Sequence, residues 1–143
     1  MKIKYTVSLL LMVLMVSFVI PPMVDVQAAT CSGTSCNGLY PTSTGCSIGA
    51  TEKGYIILNA LTFTKIYKST TCSTFYAYTV GHSSDYYLNA TLKYYYNTYT
   101  SYPIQGNIVS PQRYGLSSAE ACGAASTSGP ISAMIYSPCV MGW

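Results

Sequence analysis

The sequence predicts an all-β domain: a small antiparallel sandwich or barrel, stapled by disulfides and preceded by a Cys/Gly-rich loop. Three observations carry this. Long stretches alternate apolar and polar residues with a period of two, as half-buried strands do. The chain is rich in threonine and has 15 tyrosines among its 143 residues, types that suit a pleated surface better than a helix. Six cysteines, an even number, are spread over one short chain, the pattern of a disulfide framework.

Taken in order, the chain opens with Lys2 and Lys4, followed by an almost wholly apolar run from Val7 to Ile20. Pro21 and Pro22 end any helix there, and Val26-Gln27-Ala28 places small residues where signal peptidase requires them. The apolar run falls short of the ~20 residues that span a bilayer. The expectation is a signal peptide over residues 1–28, cleavage after Ala28, and one secreted domain over residues 29–143 with no membrane insertion after cleavage. Cys31 lacks the leucine-led small-residue pattern of a lipoprotein site.

Cys31, Cys36, Cys46, Cys72, Cys122 and Cys139 all follow the leader. Three disulfides are expected. Of the fifteen pairings that six cysteines allow, the spacing favours Cys122–Cys139 closing the C-terminal segment, with the other four pairing among themselves. No C-x-x-C pair occurs and His82 is the lone histidine, so no metal centre and no cofactor are expected.

Residues 30–50, dominated by Cys, Gly, Ser and Thr with one proline, read as a stapled loop. Thr51–Gly54, with two of the few charges, reads as a turn. Leu61, Phe63, Lys65 and Tyr67 alternate with Thr62, Thr64 and Ile66 in a first clear strand, and Phe75, Ala77 and Thr79 alternate with Thr74, Tyr76, Tyr78 and Val80 in a second. A third puts Leu88, Ala90, Leu92, Tyr94 and Tyr96 on one face and Asn89, Thr91, Lys93, Tyr95 and Asn97 on the other. Gly81-His82-Ser83-Ser84-Asp85 is a run of turn formers, which predicts a hairpin of the second and third strands. Shorter strands are expected over Ile104–Val109 and Ile131–Tyr136. Ser117–Ala125 suits a single helical turn, its glycine and small residues disfavouring a long helix.

The first block after the leader reads Cys31-x-Gly33-x-x-Cys36-x-Gly38-x-x-Pro41-x-x-x-Gly45-Cys46. It resembles the signature of the YjfA-like family, small exported proteins of Gram-positive bacteria. A second block of that family, a tyrosine-bearing strand running into a cysteine and a further strand, is similar to Tyr67 through Tyr78 here. Tyr76 stands where the family tends to have tryptophan and Tyr78 where it tends to have arginine, and Tyr67 lies one residue further from Cys72. The resemblance spans Cys31 to Val80. It implies a secreted, disulfide-bearing β-domain and brings no enzymatic activity with it.

Charge narrows the function further. Beyond the leader, Lys53, Lys65, Lys68, Lys93 and Arg113 face Glu52, Asp85 and Glu120. So few and scattered cations do not make a nucleic-acid surface, and three carboxylates are too few for a hard-cation centre. Acid–base chemistry would have to draw on His82 with Glu52, Asp85 or Glu120. No Gly-x-Ser-x-Gly elbow is present, and the sequence therefore reads as a non-enzyme, with a His82 hydrolase the third choice. Tyrosine is the distinctive feature: Tyr86, Tyr87, Tyr94, Tyr95, Tyr96, Tyr99 and Tyr102 crowd one short segment. Such rings offer flat apolar faces and hydroxyl tips at low entropic cost. The expected role is a cell-surface or extracellular binding module for a cell-wall glycan, another carbohydrate or a protein partner, with Tyr86, Tyr95, Tyr99 and Tyr102 as binding residues. The competing role is a secreted antagonist or inhibitor of the bacteriocin type. Self-pairing of a Tyr/Thr edge strand guarded only by Lys93 is a further option. The sequon Asn89-Ala90-Thr91 is assigned no role.

Overall fold

The computed structural model describes residues 28–81, 87–102, 104–126 and 138–143. The leader, His82, Asp85, Tyr86 and the strand expected over Ile131–Tyr136 lie outside the described residues. The described chain forms two antiparallel sheets packed face to face, the all-β sandwich that the alternation implies.

The first sheet contains β1 (Thr51–Asn59), β2 (Thr62–Ser69) and β3 (Thr74–Gly81), with the short β7 (Ile108–Val109) and β8 (Arg113–Tyr114) both against β3. The second contains β4 (Tyr87–Tyr94), β5 (Asn97–Thr100), β6 (Ile104–Gln105), β9 (Ala119–Ser126) and β10 (Cys139–Gly142), in the order β10-β9-β4-β5 with β6 also on β4. Between the sheets lie Ile66, Phe75, Ala77, Leu88, Ala90, Leu92, Ile108, Ala119 and Ala121.

Four local expectations are corrected. Thr51–Gly54 is not a turn but the start of β1, paired with Lys68, Tyr67 and Ile66 of β2. As an edge strand, β1 leaves Glu52 and Lys53 in water, so charge does not oppose strand formation there. Residues 117–125 form no helical turn: β9 runs through them at the centre of the second sheet, between β4 and β10. Its small residues serve packing, since a Cβ on Gly123 would overlap Thr64 Oγ1 and lie 2.8 Å from Thr79 Oγ1. The second and third clear strands, β3 and β4, are not a hairpin; they belong to different sheets and meet across the core. A five-residue gap serves a hairpin or a crossing between layers equally well, and the buried faces of both strands favour the crossing. Finally, β4 stops at Tyr94 and reverses through Tyr95-Tyr96 to pair Tyr94 with Asn97, so no face alternation continues through these rings.

The inward faces are unusually hydroxylic. Thr62, Thr64 and Thr79 are buried between the layers. Thr79 Oγ1 donates to the Asn89 carbonyl at 2.8 Å, which leaves its oxygen to accept the Thr64 hydroxyl at 2.9 Å. A buried hydroxyl costs little when it is bonded in this way.

Three disulfides complete the molecule: Cys31–Cys36, Cys46–Cys72 and Cys122–Cys139. The last links β9 to β10 across a directly opposed pair. The first lies within the N-terminal segment, where a 3-10 turn (Gly33–Cys36) leads into turns up to residue 49, and the second ties that segment to the turn between β2 and β3. Gln112 clasps this segment to the sandwich: its side chain is buried, its Nε2 donates to Thr44 Oγ1 at 2.9 Å, and its Oε1 accepts the Thr74 hydroxyl at 2.8 Å. Three disulfides indicate an oxidising environment for the folded chain. No helix among the described residues is long and apolar enough to cross a membrane.

Candidate binding face

The alternation of β2 places threonine inside and aromatic rings outside, while β3 turns Phe75 and Thr79 inward and Tyr76 and Tyr78 outward. Phe63, Lys65 and Tyr67 of β2 point away from the core, as do Tyr76, Tyr78 and Val80 of β3, because their neighbours Thr62, Thr64, Ile66, Phe75, Ala77 and Thr79 occupy the inward face. Register aligns these side chains into cross-strand rows. Tyr55, Lys65, Tyr78 and Val109 form one row over four strands. Ile57, Phe63 and Val80 form a second, and Glu52, Tyr67 and Tyr76 a third.

The rings of this face are held in place. Tyr67 stacks on Tyr76 with centroids 5.4 Å apart and planes 11° from parallel, and tilts against Tyr78 at 6.3 Å. Tyr76 is only 5% exposed, and burial, followed by the neighbouring Tyr67 and Tyr78, pushes its phenol well above the usual tyrosine range. Lys65 Nζ pairs with Glu52 Oε2 at 2.6 Å and lies 5.3 Å from the Phe63 ring centroid. The hydrogen bond to Glu52 raises the lysine pKa against the opposing effect of burial. Tyr67 donates its hydroxyl to the same carboxylate at 3.4 Å. Tyr55 and Ile57, by contrast, are 59% and 65% exposed, large apolar area facing water on the edge strand.

Two hollows flank the row. One, of about 310 Å³, is lined by Glu52, Tyr55, Ile57, Phe63 and Lys65. The other, of about 490 Å³, lies beyond β3 among Tyr40, Thr42, Tyr78, Tyr102, Ile104 and Val109, with Asn107 and Ile108. Asn107 is fixed there by accepting the Gly81 N–H at 3.1 Å.

The tyrosines singled out from the sequence separate. Tyr102, 83% exposed, lines the larger hollow. Tyr99 turns inward: it packs against the core with the Arg113 guanidinium 5.8 Å from its ring centroid. Tyr95 sits at the far end of β5, 82% exposed at the hairpin tip, edge-on to Tyr94 at 4.5 Å. Its φ of 51° is a left-handed conformation that a bulky residue adopts at a cost. It borders a separate hollow of about 350 Å³ with Lys93, Tyr94, Glu120 and Met141. Tyr86 and His82 lie outside the described residues. The residues that sequence reasoning missed are Tyr55, Phe63, Tyr67, Tyr76 and Tyr78. Their signal was the placement of rings and threonines on opposite phases of β2.

The sulfurs of Cys31, Cys36, Cys46 and Cys72 lie within 4.8 Å of one another. All four are spent in disulfides, which leaves no thiolate to hold a metal ion. Asn89 of the sequon is buried and donates its Nδ2–H to the Ser101 carbonyl at 2.9 Å, so its amide is not presented for modification. No known family, curated protein or solved structure matches the chain.

Proposed function

We propose that this is a secreted, non-catalytic module that binds an extracellular ligand through the aromatic outer face of its first sheet, continued by Tyr102. The observation that carries this reading is the phase of β2, which turns Thr62 and Thr64 inward and Phe63 and Tyr67 outward, with Tyr78 of β3 and Tyr55 of β1 beside them on the same face. A strand pair built for stability alone would bury its rings and expose its threonines, since burying one aromatic side chain contributes roughly 1.5–3 kcal/mol. Here Thr62, Thr64 and Thr79 are inside while Tyr55, Phe63, Tyr67 and Tyr78 face outward. Contiguous outward rings, fixed by stacking and bordered by hydroxyl and amide groups, favour recognition of flat apolar surfaces with polar edges. Secretion agrees with the disulfides and with the leader-like residues 1–28, and the YjfA-like proteins that the N-terminal block resembles are exported.

Retention of the purified domain on insoluble cell-wall preparations tests the reading. The Tyr55→Ala/Tyr78→Ala/Tyr102→Ala variant should wash through while keeping its thermal transition. Equal retention of the variant and the parent would remove this face from consideration. N-terminal sequencing of protein from culture medium should begin at Ala29.

A further inference from the structure

We infer that the ligand of this face is an uncharged, linear glycan lying across the strands along the Tyr55–Lys65–Tyr78–Val109 row, with one end in each flanking hollow. The inference rests on the binding reading above and narrows it to a ligand class by charge, shape and size.

Charge comes first. Among the described residues lining the two hollows, the charged ones are Glu52 and Lys65. They neutralise each other at 2.6 Å. The nearby Lys68 ammonium is turned aside, 5.1 Å from the Phe75 ring centroid. A phosphate- or sulfate-bearing polymer needs cations free to meet it. On this face it meets one lysine already held by a carboxylate, and it would have to approach that carboxylate too. A neutral ligand meets no such obstacle.

Shape follows from register. The row crosses four strands at ~4.8 Å spacing, about 14 Å in all, and the hollows lie at its opposite ends, with Tyr55 and Lys65 lining one and Tyr78, Val109 and Tyr102 the other. One extended chain laid along this continuous row reaches both hollows. Sugar rings present apolar C–H faces flanked by hydroxyl edges. The row answers with aromatic faces, the hydroxyls of Tyr40, Tyr102 and Thr42, and the amide of Asn107.

Size separates a glycan from a protein partner. Three rows, repeating every second residue, extend ~13 Å along the strands, so the platform covers on the order of 200 Å². A stable protein interface takes about 800 Å² from each partner. The platform suits a narrow chain.

Calorimetric titration with N-acetylglucosamine oligomers and cello-oligosaccharides of increasing length, with heparin as the polyanion, tests this. Affinity for one neutral series should climb with length, level off once both hollows are filled, and be insensitive to salt. Tyr55→Ala and Tyr102→Ala should each move the plateau to shorter oligomers, and Tyr78→Ala should weaken every length on the order of tenfold. Thermal melts confirm folding, which the exposure of Tyr55 and Tyr102 favours. Affinity independent of length, or salt-sensitive binding of heparin alone, would overturn the inference while keeping the binding face. So would Tyr78-dependent capture of a protein in place of either sugar series. If no cell-wall, sugar or protein ligand responds to any of the three substitutions, the binding reading itself fails.

Discussion

Replacing Gly123 with alanine tests the packing that supports the binding face. Gly123 lies on β9 opposite Ala90 and points at the first sheet. The added methyl would coincide with Thr64 Oγ1, with Thr64 Cβ at 2.9 Å and Thr79 Oγ1 at 2.8 Å. Either the sheets part or Thr64 swings away and gives up its hydrogen bond to Thr79 in a site closed to water. Overpacking costs typically ~1–3 kcal/mol, and a buried hydroxyl left unbonded costs ~1–3 kcal/mol more. The two effects overlap, so the expected loss is about 2–5 kcal/mol, a large part of the stability of a domain this size. Urea denaturation followed by tyrosine fluorescence gives the midpoint and slope. Thr64→Ala in the same chain removes the worst overlap but leaves the Cβ of residue 64 and Thr79 Oγ1 inside 3 Å, so the double variant should recover part of the loss, a coupling beyond the few tenths of a kcal/mol found between independent sites. The reasoning is refuted if Gly123→Ala lies within ~0.5 kcal/mol of the parent, or if the two substitutions simply add. Because Thr64 is flanked by Phe63 and Lys65 in β2, ligand retention should fall in Gly123→Ala and return in part in the double variant.

Two further outcomes follow from the same geometry. Burial raises the Tyr76 pKa above its unfolded value near 10; the unfolded chain therefore releases this proton first as pH rises. Stability contributed by keeping the phenol neutral is complete below pH ~10 and declines above it, by at most ~1.4 kcal/mol per pH unit. Tyr76→Phe should flatten that alkaline decline and remove a late-titrating tyrosine from an absorbance titration; an unchanged titration curve would contradict the burial argument. Removing the β9–β10 link with Cys122→Ser/Cys139→Ser should cost about 3 kcal/mol for a loop of this length, read as a lower denaturation midpoint, with the parent yielding no alkylatable thiol before reduction and six after.

Much of the fold is legible in the residues themselves. The alternation in β2 and β3 gives their extents closely, that of β4 gives its start but overruns its end at Tyr94, and the cysteine spacing gives the separation of Cys122–Cys139 from the other four. Periodicity identifies two faces of a strand without saying which is inside. With Thr62, Thr64 and Ile66 on one side and Phe63, Lys65 and Tyr67 on the other, apolar content alone points the wrong way. What decides is the opposite layer: Gly123 and Ala121 leave room for threonine, not for tyrosine. The same close approach explains β9, whose Ala and Gly residues lower local strand preference and reveal their purpose only against the other sheet. The tyrosine cluster misleads for a related reason. Sequence proximity groups Tyr95, Tyr99 and Tyr102, but a hairpin tip, a core-facing strand position and a groove wall send them to three environments. The rows that bring Tyr55, Tyr67 and Tyr78 onto one face are formed by two successive strand pairings that together span residues 55–78.

The Gln112 clasp makes the seat of the first turns depend on a stretch late in the chain. Gly38 donates its N–H to the Gln112 carbonyl, Leu39 accepts the Gln112 N–H, and Asn37 Oδ1 accepts the Tyr114 N–H. Residues 37–39 thus gain their backbone partners only when a stretch some seventy residues later has docked on β3, beside the tether that Cys46–Cys72 provides. Oxidation that outruns that docking would freeze Cys31, Cys36 and Cys46 in whatever pairing chance contact supplies, which makes the pace of sulfur chemistry relative to strand arrival the step on which the yield of correctly bridged molecules depends.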